Sequence, residues 1–228
     1  MGTTASTVAT ETAPAIHPVF ATVTTTSLLS TKIATIAPVY HRLSVYYKPN
    51  GAFMRYLSNR TTLGSLRTVL VTASRSDGWY QVLLPIRPNG TRGWIRKSAV
   101  ITTTNPMRIV ISRKYKTLKL YRRGVFVMKF PVAVGKPTTP SPAGLFYVTD
   151  KINTGQPGGA YGPYALGLSG FSNVLFSFSG GDGEVGIHGT NTPSSIGHAV
   201  THGCIRLYNA GITKLYSKIW IGTPVVVH

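Results

Sequence analysis

The chain has one cysteine, Cys204, so no internal disulfide can form, and the thiol is either an incidental core residue or a reactive one. Acidic side chains are nearly as scarce: five Asp and Glu stand against 24 Lys and Arg, a formal net charge of +19. A field of that sign draws a protein towards an anionic polymer or surface, and composition alone does not choose among nucleic acid, acidic lipid and anionic cell wall. No apolar run approaches the roughly 20 residues that a membrane span needs. Nor do the opening residues show a basic segment followed by an apolar one, so no export signal is visible. Long helical periodicity is also missing. What is present is 24 Gly, 15 Pro and abundant Thr and Ser across 228 residues, with 43% hydrophobic content, a globular composition that favours strands and turns.

Residues 1–32 are almost uncharged and dominated by Thr, Ala, Ser, Val and Pro, and read as a flexible linker. From 33 to 103, short β-forming segments such as Thr68-Val69-Leu70-Val71 alternate with turn signals. Asn50-Gly51 and Asn89-Gly90 are the strongest of these and suggest type I′ hairpins. The spacing predicts a small β-barrel. The run Asp77-Gly78-Trp79-Tyr80-Gln81-Val82, followed by Gly93-Trp94-Ile95, resembles bacterial Src-homology-3-like domains. Trp79 and Trp94 are either a peptide groove or core aromatics. After a short link at 104–106, a second β-rich domain is expected over 107–228. The fold class predicted is therefore mainly β: a small barrel, then a second β domain with one main helix. That helix is expected to start at Asn209 as N-cap, with Ile212, Leu215, Tyr216 and Ile219 on one face.

The stretch from Ile187-His188-Gly189-Thr190-Asn191 to Thr201-His202-Gly203-Cys204-Ile205-Arg206 carries the chemistry. It puts the thiol on a turn-like segment just ahead of the predicted helix, where backbone N–H groups lower a thiol's pKa and stabilise an oxyanion. His188 and His202 are both candidates to take its proton. Acyl transfer through cysteine is plausible on those residues alone.

The same residues, His188 and then Thr201-His202-Gly203-Cys204 with Arg206, resemble the signature of the L,D-transpeptidase catalytic family, the YkuD-like domains. The likeness extends over 107–228, through Ala165-Leu166-Gly167-Leu168-Ser169-Gly170 and Gly222-Thr223-Pro224-Val225; Thr201 stands where many relatives carry Ser. The resemblance implies a YkuD-like β-sandwich with its helix after the catalytic Cys. It implies Cys204 as nucleophile, His188 as base and then acid, and the carbonyl of Gly189 as the group that orients His188. This last fits a region whose only acids are Asp150, Asp182 and Glu184. Gly203 and Cys204 N–H groups would form the oxyanion hole with His202, which otherwise pins the Cys loop. Arg206, Thr201, Tyr161, Tyr164, Thr190 and Asn191 are candidates for substrate contact or loop shape.

The activity implied is peptidoglycan 3→3 cross-linking of tetrapeptide stems through a thioester, in the cell envelope after export, with carbapenems as covalent inhibitors. The alternatives are L,D-carboxypeptidase hydrolysis of the same acyl-enzyme, or a non-catalytic wall-binding protein. No metal or organic cofactor is implied, and no nucleic-acid recognition motif is present.

Overall fold

A computed structural model describes residues 31–36, 41–177 and 182–228, with Ile36 by its backbone alone. The linker expected at 1–32 therefore lies outside the described residues up to residue 30, and Thr31 and Lys32 already belong to the first strand. Strands β1 (Thr31–Ile36), β2 (Arg42–Tyr46), β3 (Phe53–Ser58), β4 (Thr68–Ser74), β5 (Trp79–Leu83), β6 (Arg92–Arg96) and β7 (Val100–Asn105) form one antiparallel sheet in the order β3-β2-β6-β5-β4-β1-β7. Period-two alternation builds it. In β2, Leu43 and Val45 are buried between Arg42, Ser44 and Tyr46, and in β6 Ile95 is buried between Trp94 and Arg96. Trp79 is a buried aromatic, with Arg96 over its ring at 4.0 Å and Tyr46 edge-on at 5.4 Å.

Both Asn-Gly dipeptides do sit between paired strands, but neither makes a type I′ turn. Asn50 takes φ 54° inside a six-residue connection, and only Gly90 of the second pair is positive, at φ 88° after Pro88. A Pro–Asn–Gly run with positive φ at the glycine matches the type II pattern. The two-residue turn with positive φ at both positions occurs instead at Arg123-Gly124 (φ 49° and 80°), which joins two later strands.

The rest of the chain supplies β8 (Met107–Ser112), β9 (Thr117–Arg122), β10 (Val125–Pro131), β11 (Val134–Gly135), β12 (Gly144–Asn153), β13 (Tyr164–Phe171), β14 (Glu184–His188), β15 (Ala199–Thr201), β16 (Ile205–Arg206), helix α1 (Asn209–Tyr216) and β17 (Pro224–Val227). Eight strands pair in the order β10-β9-β8-β17-β12-β13-β14-β16, and β11 pairs with β15. Most contacts are antiparallel; β8–β17, β14–β16 and β11–β15 are parallel. The core holds Ile109, Leu118, Phe146, Leu166, Ile187 and Leu207, and α1 closes it with Ile212 and Leu215. The helix stops at Tyr216, a turn earlier than its apolar pattern suggests, yet Ile219 is still fully buried beyond it.

The two sheets interlock. Strand β12 alternates so that Phe146 packs in the second core while Tyr147, fully buried, enters the first. Asn89 pairs with the Phe171 backbone on both sides, accepting its N–H at 2.9 Å and donating to its C=O at 2.7 Å. Thr61 donates to Asp150 at 2.6 Å, and Arg87 donates to the carbonyls of Leu175 and Asp182 at 3.0 and 2.9 Å. Only Pro106 separates β7 from β8.

Candidate active site

Parallel pairing of β14 with β16 brings the two motif segments together: Ile187 lies opposite Ile205 and His188 opposite Arg206, which sets Cys204 beside Gly186 at the mouth of the sheet. A cleft of about 210 Å³ opens there, lined by Ala160, Tyr161, His188, Thr201, His202, Cys204 and Arg206. A second shallow cleft, of about 200 Å³ and lined among others by Phe130, Tyr208 and Lys214, contains neither cysteine nor histidine.

His188 is buried, and its Nδ1 lies 2.6 Å from the Gly189 carbonyl. A carbonyl only accepts, so Nδ1 carries the proton and Nε2 is the free lone pair of the neutral ring. Burial pushes the His188 pKa down to about 4, outweighing the raising effect of the Gly189 bond; the Arg206 charge lowers it further. Cys204 is half-buried. Burial raises its thiol pKa, while the Gly186 backbone and Arg206 pull in the opposite direction. Both shifts favour the neutral thiol–imidazole pair at rest.

The turn before Cys204 is held by Thr201, whose fully buried hydroxyl donates to the Cys204 carbonyl at 2.6 Å and accepts the Gly203 N–H at 3.1 Å. Its own carbonyl accepts the Lys136 N–H and the Thr139 hydroxyl, each at 3.0 Å. Gly203 has φ 123°, where a Cβ would strain the backbone although it would meet only ordinary contacts, with Val185 Cγ1 at 3.5 Å and the Pro140 carbonyl at 3.8 Å. Two expectations change here. The Gly203 N–H is already bonded inside the turn, so it does not point at the reacting centre as an oxyanion donor. Nor does the thiol sit at a helix N-terminus: β16 intervenes, and the helix begins at Asn209 with Tyr208 as N-cap.

Tyr161 is the aromatic wall, its ring 4.8 Å from that of His188 at 64°. Tyr164, the other aromatic candidate, faces elsewhere: it stacks on Tyr216 at 4.3 Å and packs against the core. Arg206 lines the cleft with its Nε buried and unpaired. Among the described residues the only salt bridge is Arg75–Asp77, so no carboxylate neutralises Arg206. His202 is exposed on the rim. Thr190 and Asn191 shape the loop after His188 rather than line the cleft: the Thr190 hydroxyl accepts the Thr192 N–H at 3.0 Å, and Asn191 accepts the Thr192 hydroxyl at 3.2 Å. Among the described residues no three His, Cys, Asp or Glu gather as metal ligands.

Asn209 is a site residue that the sequence pattern concealed. Its Oδ1 accepts the Thr190 N–H at 2.8 Å and its Nδ2 donates to the Pro157 carbonyl at 3.0 Å. A Cβ on Gly162 would fall 2.2 Å from that Oδ1, and one on Gly189 would fall 2.4 Å from it. An Asn at a helix start reads as a cap, and only the fold shows that it caps nothing.

Comparison with known proteins finds relatives of one family. A putative L,D-transpeptidase YkuD from Bacillus licheniformis is 41% identical over 124 residues, 54% of this chain and 67% of that protein. A putative L,D-transpeptidase YqjB from Bacillus subtilis is 30% identical over 161 residues, 65% of this chain and 81% of that protein. Among solved structures, an L,D-transpeptidase from Mycobacterium tuberculosis H37Rv aligns with 86% of this chain and 97% of its own, at 16% identity and a TM-score of 0.47. The family model for the L,D-transpeptidase catalytic domain, YkuD, matches residues 106–227, and the chain belongs to that family.

Proposed function

We propose that the cleft carries out L,D-transpeptidation of peptidoglycan stems through a Cys204 thioester, forming 3→3 cross-links. The observation that carries the reading is the His188 Nδ1–Gly189 carbonyl bond in the same cleft as the chain's one thiol, because it leaves Nε2 as a lone pair for the Cys204 proton.

In this reading Nε2 takes the proton as sulfur attacks the carbonyl of the third residue of a tetrapeptide donor. The developing oxyanion is met by the Cys204 N–H, with His202 on the rim as a second donor. Collapse breaks the amide; His188 returns the proton to the departing D-Ala amine, and the thioester remains. An acceptor-stem amine then attacks, gives its proton to His188, and releases the product with the thiol restored. Arg206 faces this path with an unneutralised charge and suits a carboxylate of the stem. Tyr161 walls the donor against His188. The +19 charge suits residence in an anionic envelope outside the membrane, and the 33–103 region fits a Src-homology-3-like companion to the catalytic unit. Carbapenems would acylate the same thiol, and one solved enterococcal L,D-transpeptidase domain is described as acylated by ertapenem.

The test is mass spectrometry after incubation with a disaccharide-tetrapeptide, with and without an acceptor stem. Loss of D-Ala with a cross-linked dimer is the expected result. Tripeptide alone would assign hydrolysis instead. Turnover that survived Cys204→Ala would overturn the nucleophile.

A further inference from the structure

The Gly189–Thr190 peptide has two ends, and both are held. Its C=O receives His188 Nδ1 at 2.6 Å, and its N–H is donated to Asn209 Oδ1 at 2.8 Å. A trans peptide is planar, with C=O and N–H pointing in opposite directions, so fixing one end fixes the other. Each bond also polarises the amide in the sense that strengthens its partner. We propose that Asn209 is the positioning residue of this site: through one rigid peptide plate it sets the imidazole that faces Cys204. The proposal rests on the reading of His188 as the base.

Three further observations favour this role over a packing role. The Asn209 amide orientation is fixed by its partners, since the Thr190 N–H only donates and the Pro157 carbonyl only accepts. Gly162 and Gly189 leave the amide its space, as a Cβ on either would meet Oδ1. The Pro157 contact ties the same side chain to the 154–163 strap, which is closed by Thr154 N–H to Pro163 C=O at 3.1 Å and carries Tyr161 onto the His188 ring. One amide thus holds the base from behind and the substrate wall from the side. Asn is suited to both because it accepts and donates without charge. Asp would keep the acceptor for Thr190 but set a carboxylate oxygen against the Pro157 carbonyl, and Ala would keep neither.

The substitutions Asn209→Ala and Asn209→Asp separate the two bonds, and both suit a first-turn helix position. Two readouts are taken: kcat and KM on the disaccharide-tetrapeptide, and the rate of Cys204 alkylation by iodoacetamide near neutral pH, followed by intact mass without substrate. Asn209→Ala should lower kcat by about 10- to 100-fold, the scale of a misplaced catalytic group. It should also remove the part of neutral-pH alkylation that His188→Ala removes. Asn209→Asp should keep both within about threefold while raising donor KM, because only the strap is released. Equal kcat loss in the two variants, or wild-type kcat and alkylation in Asn209→Ala, would overturn the proposal. So would alkylation indifferent to His188→Ala, since the plate would then have no base to aim. If the wild type does not turn over the stem but the alkylation pattern holds, the proposed reaction fails while the positioning role stands.

Discussion

The state of the Cys204–His188 pair at rest can be settled by raising the pH. The perturbation is a titration from about pH 5 to pH 11, with the thiolate population read from its ultraviolet absorbance against Cys204→Ala and from the iodoacetamide rate. His188 is held at about 4 and the thiol above its ordinary 9.0, so moving the proton from sulfur to nitrogen spans more than five pK units. At about 1.4 kcal/mol per unit, that is at least about 7 kcal/mol uphill. Attraction within the resulting ion pair returns about 4 kcal/mol at contact distance and the effective dielectric of such sites. Desolvation wins by at least about 3 kcal/mol, leaving ion pair in about 1% of molecules at most. The alkylation rate near pH 7 should therefore sit at least about two orders of magnitude below its alkaline limit. A shoulder is expected above the His188 transition, with a second rise as the thiol itself ionises. A preformed thiolate–imidazolium pair, as at the most strongly depressed catalytic cysteines, would give a flat, maximal rate from about pH 5 to 9 and full thiolate absorbance at neutrality. That result would refute the argument from burial.

Other perturbations test the same frame. Gly189→Ala would place a Cβ 2.4 Å from Asn209 Oδ1 and 3.0 Å from Gly162 Cα, so turnover should drop by about 100-fold; unchanged kcat would show the plate to be compliant. Thr201→Val removes both hydroxyl bonds of the Cys turn from a fully buried position and should cost about 2–3 kcal/mol in denaturant unfolding, with Thr201→Ser recovering most of it. His188 gives a pH signature in stability. Unfolded it binds a proton near 6.5 and folded only near 4, so the unfolded state takes up more protons between those values. Stability is fully present above about pH 6.5 and falls by up to about 3 kcal/mol as the pH drops to about 4. Thermal melts of His188→Gln should lose that slope; an unchanged slope would assign it to other groups.

The predominance of strands was legible because alternation is local: Leu43 and Val45 alternate with polar neighbours whatever lies across the sheet. The gathering of His188, His202, Cys204 and Arg206 in one cleft follows a spacing that the parallel β14–β16 pair makes compact. What stayed hidden depends on contacts between distant segments. Whether the Gly203 N–H is free turns on where the Thr201 hydroxyl rotates, which the order of residues does not state. Tyr161 and Tyr164 are three residues apart and chemically alike, yet one meets His188 and the other Tyr216. The thiol stands apart from the helix N-terminus because two residues, Ile205 and Arg206, continue the sheet before the chain turns. Asn209 satisfied a local rule well enough to mask its long-range use.

The alternation of Phe146 and Tyr147 along β12 has a consequence for how the chain can be divided. The segment that carries the family likeness begins at residue 106, but one of its strands delivers a tyrosine ring into the hydrophobic interior built from residues before that point. A cut at Pro106 would leave that ring, buried to 0% exposure in the whole chain, against water, together with the partnerless backbone of Phe171. The boundary of the family likeness therefore does not coincide with a boundary of hydrophobic packing: the strands before residue 106 and the sheet after it share an interior.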